Sequence, residues 1–564
     1  MISSMLMLAA CTSGDKPATF SSTADAIYFG GDILTMEGDS ASYVESLVVD
    51  SGRIVFVGAK AEALKYKGDS TVMHDLQGRT LLPGFIDPHS HFMSSLAMGS
   101  QANCQPAPAG AADDVEGIVR SLLQLKAERS IPDGETIMGY GYDDSVMPEG
   151  RVLNRDDLDA AFPNNPVIVF HVSMHGVVMN SKAMANYGIS AKTETVPGGI
   201  IVRKPGTNEP YGLIMEMNYL PIFAKLPVPG MEEQLRRLEE GQKLYAAAGV
   251  TTVQEGATHM PEVALLERGA KEGRLFLDVV SYPLFTEMDS LFKDHAPSGI
   301  GKYNDHFKIG GIKITVDGSP QGRTAFFTTP YLTGGPNGEK DWVGEPSFSQ
   351  DIANALLKRI YDLGLQSNFH ANGDAAIDML LKAHEFAAGD DPSKERRTTI
   401  IHSQFVRKDQ LEKYVKYKMI PSFYTEHTYY FADTHIKNRG MDQASFISPM
   451  RSAIAMGLRP TNHTDFNVVP IDQMFVLWSA VNRLSRNGVV IGADERVTPY
   501  EAIQAITIHA AYQYFEEKTK GSFQAGKLAD LVILDKNPLT VDPMAIKDIQ
   551  VLETIKEGVT VFKR

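Results

Sequence analysis

Cysteine is almost missing: two occur in 564 residues, Cys11 and Cys104, which excludes a disulfide framework and any zinc cluster held by cysteines. Positive charge is short as well. Lys and Arg total 54 against 69 Asp and Glu, a net charge of −15, and nucleic acid as a partner calls instead for basic stripes. No apolar run reaches the ~20 residues of a membrane-spanning helix. Repeats and low-complexity tracts are absent too. What remains is 43% hydrophobic and 22% charged, the composition of a soluble globular protein too long for one ordinary domain. A metal bound by such a chain needs His, Asp, Glu or a modified Lys as ligands.

The start of the chain stands apart. Met5 to Cys11 resembles the end of a bacterial lipoprotein signal, with Leu8-Ala9-Ala10-Cys11 as the lipobox and a Thr/Ser-rich tether from Thr12 to Thr23. No Lys or Arg precedes this apolar run, and it is short for a signal core. A start site placed too far downstream accounts for both defects. The expectation is a cell-envelope protein, periplasmic and lipid-anchored at Cys11, with a cytoplasmic location as the alternative. That anchor is the one membrane contact expected; whether copies of the chain form a homo-oligomer stays open.

Residues 24–82 read as short strands (26–29, 46–49, 53–57) separated by Gly/Asp turns, and residues 515–564 have the same texture. These two ends are expected to pair into one small β-sandwich. From Pro83 onward apolar strands alternate with amphipathic stretches such as 261–273, 375–388 and 471–486. Eight strands are expected, at 84–88, 249–255, 277–282, 309–316, 365–370, 398–402, 418–424 and 458–464. Eight β/α units imply an α/β fold of the (β/α)8 TIM-barrel type. The first barrel strand falls in 83–99 and the rest of the barrel in 249–514. Residues 100–248 break the beat with their own strands (166–172, 212–217) and a helix (231–248), and read as an α/β insert after the first strand.

Polar residues fall where barrel chemistry belongs, at the C-terminal strand ends. His89 and His91 sit at i and i+2 after an apolar run, so both imidazoles point to one side of an extended chain. Lys313 lies on strand four, His370 ends strand five, His402 ends strand six and Asp465 ends strand eight. A lone strand-end histidine is usually a packed rim residue; five strands delivering metal-ligand types together are not.

These motifs resemble the amidohydrolase superfamily, in its YtcJ-like and N-substituted-formamide-deformylase-like branch (amidohydrolase 3). The resemblance runs from about residue 24 to the C-terminus. It is carried by PGFIDPHSH (83–91), NSKAM (180–184), GLIME (212–216), GVTTVQEG (249–256), IKITVDGS (312–319), HANGDAAID (370–378), HTDF (463–466) and GSFQAGKLADLVILDKNP (521–538). It implies a metal-dependent hydrolase of a C–N bond in a small molecule, with lactonase, phosphotriesterase-like or deaminase activity, or a silent binding protein, as alternatives. By the same resemblance one or two divalent ions, zinc foremost, are held by His89, His91, His370, His402 and Asp465. Lys313 falls where a carboxylated lysine bridges such ions, with Glu216 and Glu255 as competing bridges, and Asp465 doubles as the proton shuttle. His175, Arg323 and His427 are candidates to touch substrate. The chain departs from the commoner pattern at Asn372 and at Asn462-His463-Thr464, and neither departure is expected to touch a ligand.

Overall fold

The computed structural model describes residues 23–564 apart from 99, 108, 149–150 and 227–228. The lipobox-like Leu8–Cys11 and most of the tether lie outside the described residues. No described helix is long and apolar enough to cross a membrane.

The two ends of the chain meet in one eight-stranded sheet. Leu531–Leu534 pairs antiparallel with Thr80–Pro83, placing the strands 551–556 and 559–563 beside those of residues 26–58. The long strand Ala26–Leu34 changes partner midway: 26–29 pairs with Val72–Asp75, and 32–33 with 80–81. The switch occurs at Gly30-Gly31, where a Cβ on Gly31 would lie 2.1 Å from the Arg79 carbonyl, so only glycine fits. Buried Tyr28, Leu47, Ile54, Leu81, Leu531 and Ile533 form one cluster in this sheet.

Between the ends run two parallel sheets. One has the strands Phe85–Ile86, Val250–Thr258, Asp278–Pro283 and Phe307–Ile309; the other has Gly311–Thr315, Gln366–Ala371, Thr399–His402, Ile420–Phe423 and Thr461–Asn462. Every expected parallel strand is there, but the fourth is two. It breaks at Gly310, where the Tyr282 ring leaves no room for a side chain: a Cβ would come 2.7 Å from its Cζ. Alternation then sorts the side chains. Ile312 and Ile314 join the large core with Leu357 and Ile360 of the helix Gln350–Asp362, while Lys313 and Thr315 face a cavity. At the far edges Asp465 N donates to His89 O (3.1 Å) and His91 N to Phe466 O (2.7 Å).

Residues 102–216 form a separate six-stranded sheet, adding strands at 102–103, 137–142, 176–179 and 199–203 to the two regions expected. The helix Met231–Ala247 follows. Its Leu235, Leu238 and Tyr245 share the core of the parallel strands, alongside Val250 and Val253.

Candidate active site

Five strand ends bring their polar residues to one place. His89 Nε2 and His91 Nε2 each lie 3.4 Å from Asp465 Oδ1. Lys313 Nζ is 3.2 Å from His89 Nε2. The ring centroids of His370 and His402 are 4.6 Å apart, and those of His89 and His402 5.6 Å. Donor atoms of His89, His402 and Asp465 all fall within 4.8 Å of one another. Backbone strain accompanies the convergence: His402 (φ 70°) and Asp465 (φ 52°) occupy the left-handed region that non-glycine residues avoid.

Burial sets the charge state. It pulls the His89, His370 and His402 imidazoles well below their ordinary value, and neighbouring cations, Lys313 among them, push the same way. Neutral imidazole is the form that ligates a metal. Burial also lowers the Lys313 ammonium to about 8, against the opposing pull of Asp465 and Glu255. For Asp465 burial raises the carboxyl, but the neighbouring His91, His463 and Lys313 outweigh it, so the group is held low and ionised. Its Oδ1 is nevertheless buried without a hydrogen-bond partner among the described residues. An ionised, unpartnered oxygen facing the ring nitrogens of His89 and His91 suits a divalent cation, and the donor set fits one.

A second trio with metal-ligand chemistry, Asp278, His306 and Glu557, behaves differently. The Lys520 and Lys556 ammoniums already sit on Asp278, so its charge is neutralised by the chain itself.

A further set of residues, not expected from the sequence to touch them, orients the histidines. Gln254 Oε1 accepts from His89 Nδ1 at 2.5 Å, which leaves Nε2 to face Asp465. His402 Nδ1 meets His463 Nε2 at 3.1 Å, and His463 Nδ1 meets Ser422 Oγ at 2.9 Å. Asn372 Nδ2 lies 2.9 Å from His370 Nε2. The expectation that Asn372 and His463 stand clear of the clustered histidines is therefore corrected, since i+2 spacing puts Asn372 on the same side as His370. The available signal was a polar residue on an otherwise apolar strand, as with Ser422; Gln254 lies among threonines and a glutamate and gave no such signal.

The competing carboxylates are placed differently. Glu255 Oε2 accepts from Met93 N (2.7 Å), and Oε1 lies 4.0 Å from His91 Nδ1. Burial and then Glu262 raise its carboxyl to about 8. Glu216, at φ 53°, bonds His175 Nδ1 through Oε2 (2.9 Å). His175 and His427 both line a cavity of about 990 Å3 over the strand ends. His427 Nδ1 pairs with His435 Nε2 at 3.0 Å. Arg323 is not among the residues of that wall; its Nη1 donates to the Gly335 carbonyl at 3.2 Å.

Residues 73–562 match the amidohydrolase family Amidohydro_3. The chain belongs to that family. It is 25% identical over 549 residues to an N-substituted formamide deformylase of Arthrobacter pascens, covering 96% of this chain and 98% of that one. The Bacillus subtilis protein YtcJ, named as an amidohydrolase, is also 25% identical, over 96% of this chain and 99% of its own length. The fold is shared with an uncharacterized metal-dependent hydrolase from Pyrococcus horikoshii, at a TM-score of 0.72 and 22% identity over 92% of this chain and 99% of that one. The protein is thus a hydrolase of the metal-dependent amidohydrolase class.

Proposed function

We propose that this amidohydrolase cleaves a C–N bond of a small molecule, an amide, N-formyl or related group, at the mouth of a closed (β/α)8 barrel. Closure is supported by the backbone hydrogen bonds joining residues 89–91 to 465–466, and the bent terminal sheet would wrap its shared core as the β-sandwich. His89, His91, His370, His402 and Asp465 would hold one or two divalent ions, zinc first among them, with Lys313 carboxylated between them. When bound, such an ion supplies Lewis acidity for activating water and polarising a carbonyl.

The chain's own residues do the rest. Asp465 takes a proton from the attacking water and returns it to the departing nitrogen as the C–N bond breaks and the new C–O bond forms. Held ionised by its neighbours, it is present as the carboxylate, the form that can accept a proton. Its unpartnered Oδ1 between two ring nitrogens is the observation that carries the reading. Lys313, lowered to about 8, offers a neutral amine to CO2 far more readily than an ordinary lysine, and its product would be a carboxylate beside His89. The Arthrobacter relative, a formamide deformylase by name, supports C–N chemistry over the other reactions this type of site performs.

The test is a hydrolysis screen with metal-reconstituted protein. N-acyl and N-formyl amines are set against lactones, phosphotriesters and aminated heterocycles. Turnover of an amide or formamide is expected; turnover confined to the other classes overturns the proposal.

A further inference from the structure

The cavity has two unlike walls. The strand ends supply the polar residues described above. Facing them, Phe170, Met174, Met217, Leu220, Phe223 and Phe285 present thioethers, rings and an isobutyl group. Met217 and Leu220 stay 37% and 51% exposed, unusual for large apolar side chains on a cavity wall, where such exposure marks a surface awaiting an apolar group.

Acidic side chains outnumber basic ones on the walls. Glu216, Glu255, Glu262, Glu345 and Asp465 line the space, against Lys313 and Arg237 among the described residues. Lys313 is buried beside His89. Arg237 gives Nε to Glu233 and Nη1 to the Leu96 carbonyl. The histidines are engaged too, His175 by Glu216 and His259 by Glu287. A carboxylate carried by a substrate away from its reacting amide would shed its water among more carboxyl groups than cations, with the one arginine of the lining already bonded to Glu233.

From this we infer that the substrate is an uncharged amide bearing a bulky apolar group, and not an N-acyl amino acid or other carboxylate. The inference rests on the C–N hydrolase reading for the word amide; the charge and bulk follow from the walls alone.

A matched pair differing by one carboxylate tests it: N-(2-phenylethyl)acetamide and N-acetylphenylalanine, titrated calorimetrically into the metal-loaded protein, with hydrolysis of the neutral compound followed in parallel. The neutral compound should bind at least about tenfold tighter, the scale of one uncompensated charge. Leu220→Lys and Met217→Lys, both at exposed positions, should each narrow that gap about tenfold by supplying the missing cation. Equal or tighter binding of N-acetylphenylalanine, no binding of either compound at millimolar concentration, or an unchanged gap in both lysine variants overturns the inference. Neutral-selective binding without hydrolysis would remove the C–N reading and leave the specificity standing; hydrolysis without selectivity would do the reverse.

Discussion

Lys556 is the sharpest place to test how the two ends of the chain are locked to the parallel strands. Its ammonium, only 3% exposed, contacts Asp278 Oδ2 (2.8 Å), Asp530 Oδ2 (3.1 Å) and Glu557 Oε1 (3.0 Å). Lys520 also sits on Asp278, Glu516 binds Lys308 and Lys520, and His306 Nδ1 lies 2.8 Å from Asp278. The network holds four carboxylates against three lysines, with His306 raised chiefly by its hydrogen bond to Asp278. Lys556→Met removes one cation from near-neutral balance and strands the buried Asp530, while Asp278 keeps Lys520, which should cost about 3–5 kcal/mol. Adding Asp530→Asn restores the balance and should give a coupling of at least about 1 kcal/mol.

The pH dependence has a defined sign. Burial alone would raise Asp278, but Lys520 and Lys556 hold it well below 3.8, so its contribution is present above the unfolded value and lost as pH falls through the folded one. Without Lys556 the folded value moves up, and acid loss must begin at a higher pH. His306 runs the other way, contributing below its unfolded value near 6.5 and losing that contribution as pH rises through its raised folded value. Urea unfolding followed by circular dichroism at pH 3, 5, 7 and 8 covers both windows. A Lys556→Met cost under about 1 kcal/mol at pH 7, the level of an exposed pair, would refute the reasoning.

Asp465→Asn should lower kcat at least about 10²-fold with melting temperature and metal content largely kept; a loss that follows stability would instead make Asp465 a brace for its loop. Gln254→Leu removes the acceptor of His89 Nδ1 and should weaken metal binding about 10–100-fold, read by competition with a chromophoric chelator. Gly310→Ala drives a methyl against Tyr282, whose hydroxyl is bonded to Gln366 (2.7 Å), and should cost about 1–3 kcal/mol in denaturant unfolding. Ending the chain at Gly521 removes the strand Leu531–Leu534 that pairs with Thr80–Pro83, and should yield insoluble protein; a soluble, active product would count against the pairing.

The parallel strands were legible because each is a short apolar run between turn signals, and the ligand types stood out as polar residues at their ends. His89, His91, Lys313, His370, His402 and Asp465 converge as that placement implies. The need for glycine at 310 was not legible, since it depends on the Tyr282 ring arriving from the neighbouring strand. Nor were the partners of His89 and His402: Gln254 and His463 act across 165 and 61 residues of sequence, a separation that periodicity along one strand does not read. The same limit applies to Arg323. Its turn could be anticipated, but not that the guanidinium is spent on Gly335.

If these strand ends hold a divalent metal used for hydrolysis, as proposed, loss of the ligands must remove both metal and activity. Elemental analysis of the purified protein beside its His89→Ala and His402→Ala variants, with amide hydrolysis assayed on the same preparations, tests it most directly. One or two equivalents of divalent metal per chain are expected in the parent, with both metal and hydrolysis lost in the variants. Unchanged metal content in both variants would contradict the account.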